Sequence, residues 1–298
     1  MNTYEISQKY KEIEEKVKAW ASKQDDIRVI DVIGSRARHL PDKWADLDVG
    51  VFTTNIEKTL AKFESNIGKF GRYVFWIAGE TSRGDIERRV HFEGGLDADF
   101  AFMNYDINEY STIHKEGITL DLINEIAETL HRGIRIILDK DGVFSELFEK
   151  YKNIKPNPDI PPTESDLLGI ISNFWYHTIW VVKHLRRGEF FWTKTGVDDH
   201  LKNLLLKITE YHAKVKHGQS YDTWFRGRYL EKWADPRIIT DLEHCYAKYE
   251  KLDIQRALLE TMKLFRWVAQ ETMKLSGYKY PHEIDVYCSG WVEEELSK

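Results

Sequence analysis

IGSRARHLPDKWADLDVGVF, residues 33–52, joins the end of one apolar run to the start of another. The pair Gly34-Ser35 follows the first run, and two aspartates, Asp46 and Asp48, stand at the head of the second. Side chains alternate across a strand with a period of two, so both carboxylates are predicted to lie on one face of a sheet. Neighbouring carboxylates raise each other's pKa unless a cation lies between them, which makes this arrangement costly without a metal.

Magnesium is the cation that suits such a pair, because it takes a couple of carboxylates and keeps its other sites for water and phosphate oxygens. On its own, an Asp-x-Asp is more often a solvated strand end, and a Gly-Ser pair is a turn. Here Gly34-Ser35 follows a strand, where backbone N–H groups and a hydroxyl approach a phosphate at the opening of a following helix. The combination predicts a phosphate-binding loop beside a metal site.

A third carboxylate is expected from LDADFAFM, residues 96–103. Asp97 and Asp99 share one face of this predicted strand. An acid in so apolar a strand has a raised pKa unless a metal or a base compensates, which is the setting in which a carboxylate becomes a general base. A solvated hairpin end is the alternative interpretation, above all for Asp97, which follows the tight turn predicted at Gly94-Gly95.

The composition indicates a folded protein without affinity for polyanions. The chain has 298 residues, a hydrophobic fraction of 42% and a formal net charge of −6, so two domains are expected and a stable nucleic-acid complex is not. A small cationic substrate suits this charge better. The two cysteines, Cys245 and Cys288, have no metal-ligand spacing, and no secretory signal or membrane span is expected, so a cytoplasmic location is predicted.

The order of local patterns predicts an α+β protein in two domains. Helical periodicity covers residues 4–22, 55–68 and 116–131, and strand patterns cover 27–33, 47–53, 72–79, 88–94, 96–103 and 133–139. Four of the seven prolines fall in NIKPNPDIPP, residues 153–162, as in an interdomain connection. Later periodicity is helical, and Thr163 followed by Asp166 predicts a helix start. We therefore expect a mixed sheet flanked by helices at 1–153 and a helical bundle at 154–298.

These motifs resemble those of the DNA polymerase β-like nucleotidyltransferase superfamily, in which a Gly-Ser pair, an Asp-x-Asp strand and a third acid occur in this order. Over nearly its whole length the chain also resembles the aminoglycoside 6-adenylyltransferases (streptomycin adenylyltransferases). The resemblance is carried by stretches in both halves, among them GIRIILDKDG (133–142), NFWYHTIWVVKHLRRGE (173–189), DDHLKNLLLKI (198–208) and YPHEIDVYCSGWV (280–292). It implies transfer of AMP from MgATP to a hydroxyl of a streptomycin-like aminoglycoside, with release of pyrophosphate and inactivation of the drug.

The resemblance also implies a catalytic role for each acid. Asp46, Asp48 and Asp99 would hold Mg²⁺, and two ions would activate the nucleophile and stabilise the leaving pyrophosphate. Asp99 matches the third acid of the family and is the expected base for the hydroxyl proton. Asp97 is the alternative base.

The resemblance implies that residues 1–153 form the nucleotidyltransferase domain and that the helical domain, 154–298, binds substrate or nucleotide. The triphosphate of ATP would lie on Gly34-Ser35, with Arg36 as a nearby cation. Lys183, which matches the lysine of a Val-Val-Lys pattern in the family, would contact the phosphates from the helical half. A solvated position on an amphipathic helix is the alternative for Lys183.

An aminoglycoside carries several positive charges, so acidic partners are expected. The candidates in the helical half are Asp198, Asp199, Glu283 and Asp285, together with Asp97 in the first half. Each is also interpretable as a surface acid, and Asp198-Asp199 as a helix N-terminus.

The chain departs from the family pattern at positions that leave the acceptor open. Leu47 replaces a tyrosine, Ala101 replaces a threonine two residues beyond Asp99, and WTKTG, residues 192–196, is an insertion. Two other classes therefore stay open. One is a nucleotidyltransferase acting on a lincosamide, another small molecule or a macromolecular hydroxyl, and the other is a nucleotide-binding relative without catalysis. Retention of all three mutually repelling acids argues against the second.

Overall fold

The computed structural model describes residues 2–38, 43–106, 120–157 and 159–298. They divide into two compact units, Met1–Asn157 and Pro158–Lys298. The division falls inside the proline-rich segment, after Asn157, where the sequence predicts a boundary after residue 153. The predicted fold class is confirmed, since the first unit is a mixed sheet with helices and the second is helical.

The first unit is built on one mixed sheet. Its elements in chain order are α1 (Thr3–Ala21), β1 (Ile27–Ile33), β2 (Leu47–Thr53), α2 (Ile56–Phe70), β3 (Tyr73–Glu80), β4 (Ile86–Phe92), β5 (Leu96–Asn104), α3 (Leu120–Arg132), β6 (Ile134–Asp139) and α4 (Val143–Tyr151). The described strands lie in the order β3-β4-β5-β2-β1-β6. β2 and β5 are parallel, and the other neighbours are antiparallel. Because parallel strands begin at the same edge of a sheet, the heads of β2 and β5 lie together.

One face of this sheet forms the main core of the unit against α1 and α2. Phe63 of α2 has its ring centroid 4.7 Å from that of Phe100 and 5.1 Å from that of Phe102, both on β5. All three side chains are buried. Alternation along β2 and β5 then turns Asp48 and Asp99 to the opposite face. The apolar residues that alternate with the acids along β2 and β5 face the core, and their burial directs the acids to the other face of the sheet.

The predicted elements of the first unit are present, with ends displaced by a few residues at most among the described residues. α2 begins after Asn55, whose side chain accepts a hydrogen bond from the Lys58 backbone N–H. The β4–β5 hairpin turns at Gly94 and Gly95, which have φ of 90° and 73°. The helix predicted over 116–131 begins at Leu120 in the structure, and residues 116–119 lie outside the described residues.

The second unit consists of helices. They are α5 (Glu164–Arg186), α6 (Phe190–Thr195), a π-helical turn (Gly196–His200), α7 (Leu201–His217), a 3₁₀ turn (Phe225–Gly227), α8 (Leu230–Trp233), α9 (Pro236–Leu242), α10 (Lys251–Leu275) and α11 (His282–Ser297). The predicted capping box at the start of α5, between Thr163 and Asp166, is confirmed. The rings of Phe174 and Phe265 stack at 3.6 Å in the core. Among the described residues, no helix has the length and apolar character needed to cross a bilayer.

The helix N-terminus considered for Asp198-Asp199 is wrong. Both acids lie in the π-helical turn, and helical backbone continues from α6 through this turn into α7. Gly196 does not end a helix here, because its φ of −57° is helical. Its small size serves packing instead, since a Cβ at this position would lie 2.8 Å from the ring of Trp180.

Candidate active site

Three carboxylates meet where β2 and β5 begin. Asp46 immediately precedes β2, and Asp48 in β2 is the direct neighbour of Asp99 in the parallel register of β5. One carboxylate oxygen from each residue lies within 4.8 Å of the other two. Three hard oxygen donors at this spacing suit Mg²⁺. The structure therefore brings together the three acids that the sequence predicts as metal ligands.

The Gly34-Ser35 loop lies directly beside this cluster. Gly34 has φ of +74°, a conformation that favours glycine, and a Cβ there would lie 3.3 Å from Asp48 Oδ2. Its backbone N–H donates to the Gly133 carbonyl at 2.9 Å, which ties the loop to the chain ahead of β6. Over residues 34–38 the backbone is a turn, so the helix predicted to open at Gly34-Ser35 is not found in that described stretch. The left-handed glycine reverses the chain instead of starting a helix.

Arg36 has a different position from the one expected of a phosphate-binding cation. It is 5% exposed, and its Nε donates to the Asp46 carbonyl at 2.8 Å while another guanidinium nitrogen donates to the Ala45 carbonyl. Its Cζ lies 3.5 Å from the ring centre of Tyr10 on α1. Burial lowers the pKa of Arg36. The structure thus places Arg36 behind the metal-binding segment, where its hydrogen bonds fix the backbone that carries Asp46.

Asp97 lies outside the cluster. Its side chain is 60% exposed and hydrogen-bonds to His91 Nδ1. Its backbone N–H donates to the Tyr10 hydroxyl at 3.0 Å. Tyr10 therefore contacts both carboxylate-bearing segments, through Arg36 on one side and through Asp97 on the other.

Two residues of β4, which the sequence analysis did not identify, flank the candidate base. Arg89 Nε lies 3.7 Å from Asp99 Oδ2 and 2.5 Å from Glu87 Oε2. Burial raises the pKa of Asp99 to about 6, Glu87 adds to the rise, and Arg89 opposes it. The signal was present in the sequence, because a three-residue turn after Phe92 pairs it with Leu96, and the same register places Arg89 opposite Asp99.

A fourth acid, Asp31 on β1, lies on the same face of the sheet and was missed as a titratable group. It pairs with Gly50 in the register, two residues along the strands from the pair of Ile33 with Asp48. It is 1% exposed and accepts a hydrogen bond from the Gly50 backbone N–H at 3.0 Å. Burial raises the pKa of Asp31 to about 7, and the bond from Gly50 opposes this rise.

In the second unit, Asp285 is a buried ion-pair partner. Arg266 donates to its two carboxylate oxygens, both at 2.7 Å, and the Tyr280 hydroxyl donates to Oδ2 at 3.1 Å. A fork-shaped pair of this kind supplies geometry as well as charge compensation. Glu283, in the same first turn of α11, is exposed.

The other predicted residues of the second unit lie on helix surfaces. Asp198 pairs with Lys194 and accepts from the Ala247 backbone N–H at 3.3 Å. Asp199 accepts from the Asn203 side-chain amide at 3.1 Å. Lys183 is exposed on α5, with Nζ 5.9 Å from the ring centre of Trp291. The substrate and phosphate roles predicted for these residues stay predictions.

A mixed sheet that places three carboxylates at the head of two parallel strands, beside a Gly-Ser turn, defines a nucleotidyltransferase. The chain belongs to the streptomycin adenylyltransferase family, whose profile matches residues 7–294. The predicted class of enzyme and the predicted family are thereby confirmed.

Named relatives match most of the chain at low sequence identity. An aminoglycoside 6-adenylyltransferase of Bacillus subtilis (strain 168) is 23% identical over 290 residues, covering 91% of this chain and 95% of the relative. One from Staphylococcus aureus is 22% identical over 283 residues, covering 91% and 93%. Among solved structures, an aminoglycoside 6-adenyltransferase from Bacillus subtilis superposes with a TM-score of 0.46 at 16% identity, covering 96% of this chain and 99% of that chain.

Proposed function

We propose that the protein transfers AMP from MgATP to a hydroxyl of an aminoglycoside and releases pyrophosphate. In this reaction the acceptor oxygen bonds to the α-phosphorus of ATP, the bond from that phosphorus to the β-phosphate oxygen breaks, and the hydroxyl proton passes to a base. The observation that carries the proposal is the convergence of Asp46, Asp48 and Asp99 within 4.8 Å in a chain of this family.

The donor set fits magnesium. Asp46, Asp48 and Asp99 would hold it, because three carboxylates with oxygens within 4.8 Å of one another repel unless a cation compensates them. When bound, the ion supplies charge neutralisation for the triphosphate and for the leaving pyrophosphate. The Gly34 backbone N–H is bonded to Gly133, so within this turn the Ser35 backbone N–H and hydroxyl would receive phosphate oxygens.

Asp99 is the proposed base. Without a metal, burial and Glu87 raise the pKa of Asp99 to about 6, and Arg89 opposes this rise. At neutral pH Asp99 is therefore mainly in its basic form, and a bound cation would favour that form further. Asp97, the alternative base, is more exposed and hydrogen-bonded to His91.

The acceptor is proposed from the family and from charge. The family description names streptomycin, and the relatives are named as enzymes that act on aminoglycosides. The formal net charge of −6 suits a cationic acceptor. Streptomycin is therefore the first acceptor to test, and lincosamides and macromolecular hydroxyls are the alternatives.

Pyrophosphate release tests the proposal. The protein is incubated with MgATP and, separately, streptomycin, spectinomycin, a kanamycin-type aminoglycoside and a lincosamide, and the product is weighed by mass spectrometry. We expect release that depends on an aminoglycoside and a product heavier by one adenylyl group. Replacing ATP by GTP tests the nucleotide. Release with no aminoglycoside, but with the lincosamide, would move the acceptor to the alternative class.

A further inference from the structure

Strand β3 leaves an apolar edge of the sheet exposed. It is the outermost strand next to β4, and among the described strands it pairs with β4 alone. Large apolar side chains stand in solvent along it, with Val74 59%, Phe75 53% and Ile77 51% exposed. No charged residue occurs between Tyr73 and Gly79.

Edge strands of stable monomers are normally short or blunted with charges, prolines or bulges, because an open edge pairs with other chains. β3 has one register shift, between Tyr73 and Phe75, and pairs regularly with β4 from Phe75 to Glu80. The opposite edge of this sheet is protected. Every residue of β6 is partly buried, and Arg135 on it pairs with Glu14 of α1 at 2.7 Å. The first unit therefore has one open edge among its described strands, and that edge is its most apolar surface strand.

We propose that β3 pairs with β3 of a second copy of this chain, antiparallel, around a two-fold axis at Trp76. Direct partners across such an axis lie at equal distances before and after Trp76. Phe75 then faces Ile77 of the second copy, an aromatic and β-branched pair of the kind that stabilises neighbouring strands. The symmetric pairing uses one edge from each copy, so it closes as a dimer and does not propagate.

Charge complementarity selects this register. Arg72 precedes Trp76 by the same number of residues by which Glu80 follows it. In the antiparallel dimer each Arg72, which lies just before β3 and beyond its register shift, comes to the end of the strand that carries Glu80 of the second copy, and the axis makes this approach twice. Both side chains are exposed, and the present contact of Arg72 with Glu93, at 3.0 Å, is an exposed ion pair that contributes little.

The proposed interface also lies beside a row of paired residues that runs across β3, β4 and β5 to the candidate base, Asp99. Ile77 is the register partner of Arg89, and Arg89 is the partner of Asp99. A second copy on β3 would cover the outer end of this row.

Sedimentation equilibrium and light scattering of the whole chain, over a wide range of concentration, test the proposal. We expect the average mass to rise with concentration and to approach twice the 35.2 kDa of one chain. Ile77→Lys places a charge against Phe75 of the second copy and should raise the dissociation constant by roughly tenfold or more. Leu252→Lys, at a residue that is 77% exposed in the second unit, is the matched control and should leave the mass unchanged.

A charge reversal tests the register. Arg72→Glu alone and Glu80→Arg alone each place like charges together twice, and each should weaken the dimer by roughly tenfold. The double variant should return the dissociation constant to within about threefold of the original. Circular dichroism confirms that each variant is folded. A monomer at every concentration, or a dimer that Ile77→Lys leaves intact, overturns the proposal, and single reversals without effect overturn the register.

Discussion

The helical unit and the sheet unit hold their buried acids in opposite ways. In the helical unit Asp285 is 3% exposed and both of its carboxylate oxygens are bonded by Arg266. In the sheet unit Asp31 is 1% exposed, and among the described residues it has a backbone N–H as its hydrogen-bond donor and no ion pair. Close by on the same face, three more carboxylates stand within 4.8 Å of one another.

This difference distinguishes an acid that stabilises the fold, Asp285, from the clustered acids of the sheet unit, which we expect to bind a ligand. A buried charge needs a partner of opposite charge, which Asp285 has in Arg266. Acids whose carboxylates lie close to one another repel, so they cost stability and persist where a site requires them. The comparison therefore makes opposite predictions for the two units, since removing an acid should cost activity in one and stability in the other.

The largest effect is expected at the metal cluster. Asp46→Asn or Asp48→Asn should lower pyrophosphate release by roughly 10³-fold or more, because several kcal/mol of charge stabilisation depends on the ion that these residues would hold. The melting temperature without metal should stay the same or rise, since a repelling charge is removed. Magnesium should raise the melting temperature of the original protein and not that of the variants.

Glu57→Gln, at an exposed residue of α2, is the matched control for loss of one negative charge. It should retain both the activity and the magnesium-dependent stabilisation. If Asp46→Asn unfolds the protein while Glu57→Gln does not, the cluster is a structural feature and the comparison fails.

The next effect is a pH dependence of stability caused by Asp31. The folded protein holds the Asp31 proton up to about pH 7, whereas the unfolded chain releases it near the ordinary value of 3.8. The folded state thus binds more protons within this window, so its stability falls as pH rises, by roughly 4 kcal/mol at most. Asp31→Asn keeps an oxygen for the Gly50 N–H and removes the ionisation, so it should flatten this part of the curve.

Urea denaturation of both proteins at a series of pH values measures the difference. The gain in free energy of unfolding for Asp31→Asn should grow from pH 4 to pH 7 and then level off. An equal difference at all pH values would show that Asp31 ionises in the folded protein as it does in the unfolded chain.

The opposite sign is expected for the paired acid. Asp285→Ala leaves the Arg266 guanidinium without its carboxylate and should lower the free energy of unfolding by roughly 3 kcal/mol. The double variant with Arg266→Met should recover part of this loss, because no uncompensated charge is left. Thermal melts check the stability, and KM for the acceptor checks the role. A raised KM at unchanged melting temperature would instead make Asp285 a substrate ligand.

The smallest effect is expected at Tyr10, which contacts both acid-bearing segments. Tyr10→Phe removes the hydroxyl that accepts from the Asp97 N–H, at a cost of about 1 kcal/mol. If the bond positions the acids, kcat should fall by about fivefold with KM unchanged. Tyr4→Phe, at an exposed residue of the same helix, is the control. A loss of stability with full kcat would restrict Tyr10 to a structural role.

Much of the sheet unit was predictable from local pattern. The alternation in residues 47–53 and 96–103 predicts β2 and β5, and it predicts one shared face for Asp46 and Asp48 and another for Asp97 and Asp99. In the structure Asp46 lies just before β2, whereas Asp97 and Asp99 both lie in β5. The sequence also predicted the start of α5, because a capping box is formed by residues close together in the chain. These features were predictable because each depends on residues that are close in the chain or that repeat with a simple period.

The roles of single side chains were less predictable, since they depend on contacts between distant residues. Arg36 follows the Gly-Ser pair and was expected at the phosphates, but its guanidinium turns toward the Asp46 carbonyl and the ring of Tyr10. Asp31 was interpreted only as part of an alternating strand, because its burial depends on the sheet neighbours of β1. The pairing of Asp285 with Arg266 likewise joins two helices that the sequence pattern does not align.

Gly50 of β2 restricts the order in which substitutions at positions 50 and 31 can be accepted. A Cβ at Gly50 would lie 2.2 Å from Asp31 Oδ1 and 3.0 Å from Asp31 Cγ and Met103 Cε, distances that require a neighbour to move. Any larger residue at position 50 is therefore acceptable only after Asp31 has become smaller. The reverse order passes through a clash in a strand that carries the metal-binding acids, so the two positions are expected to vary together in descendants of this protein, with Asp31 replaced first.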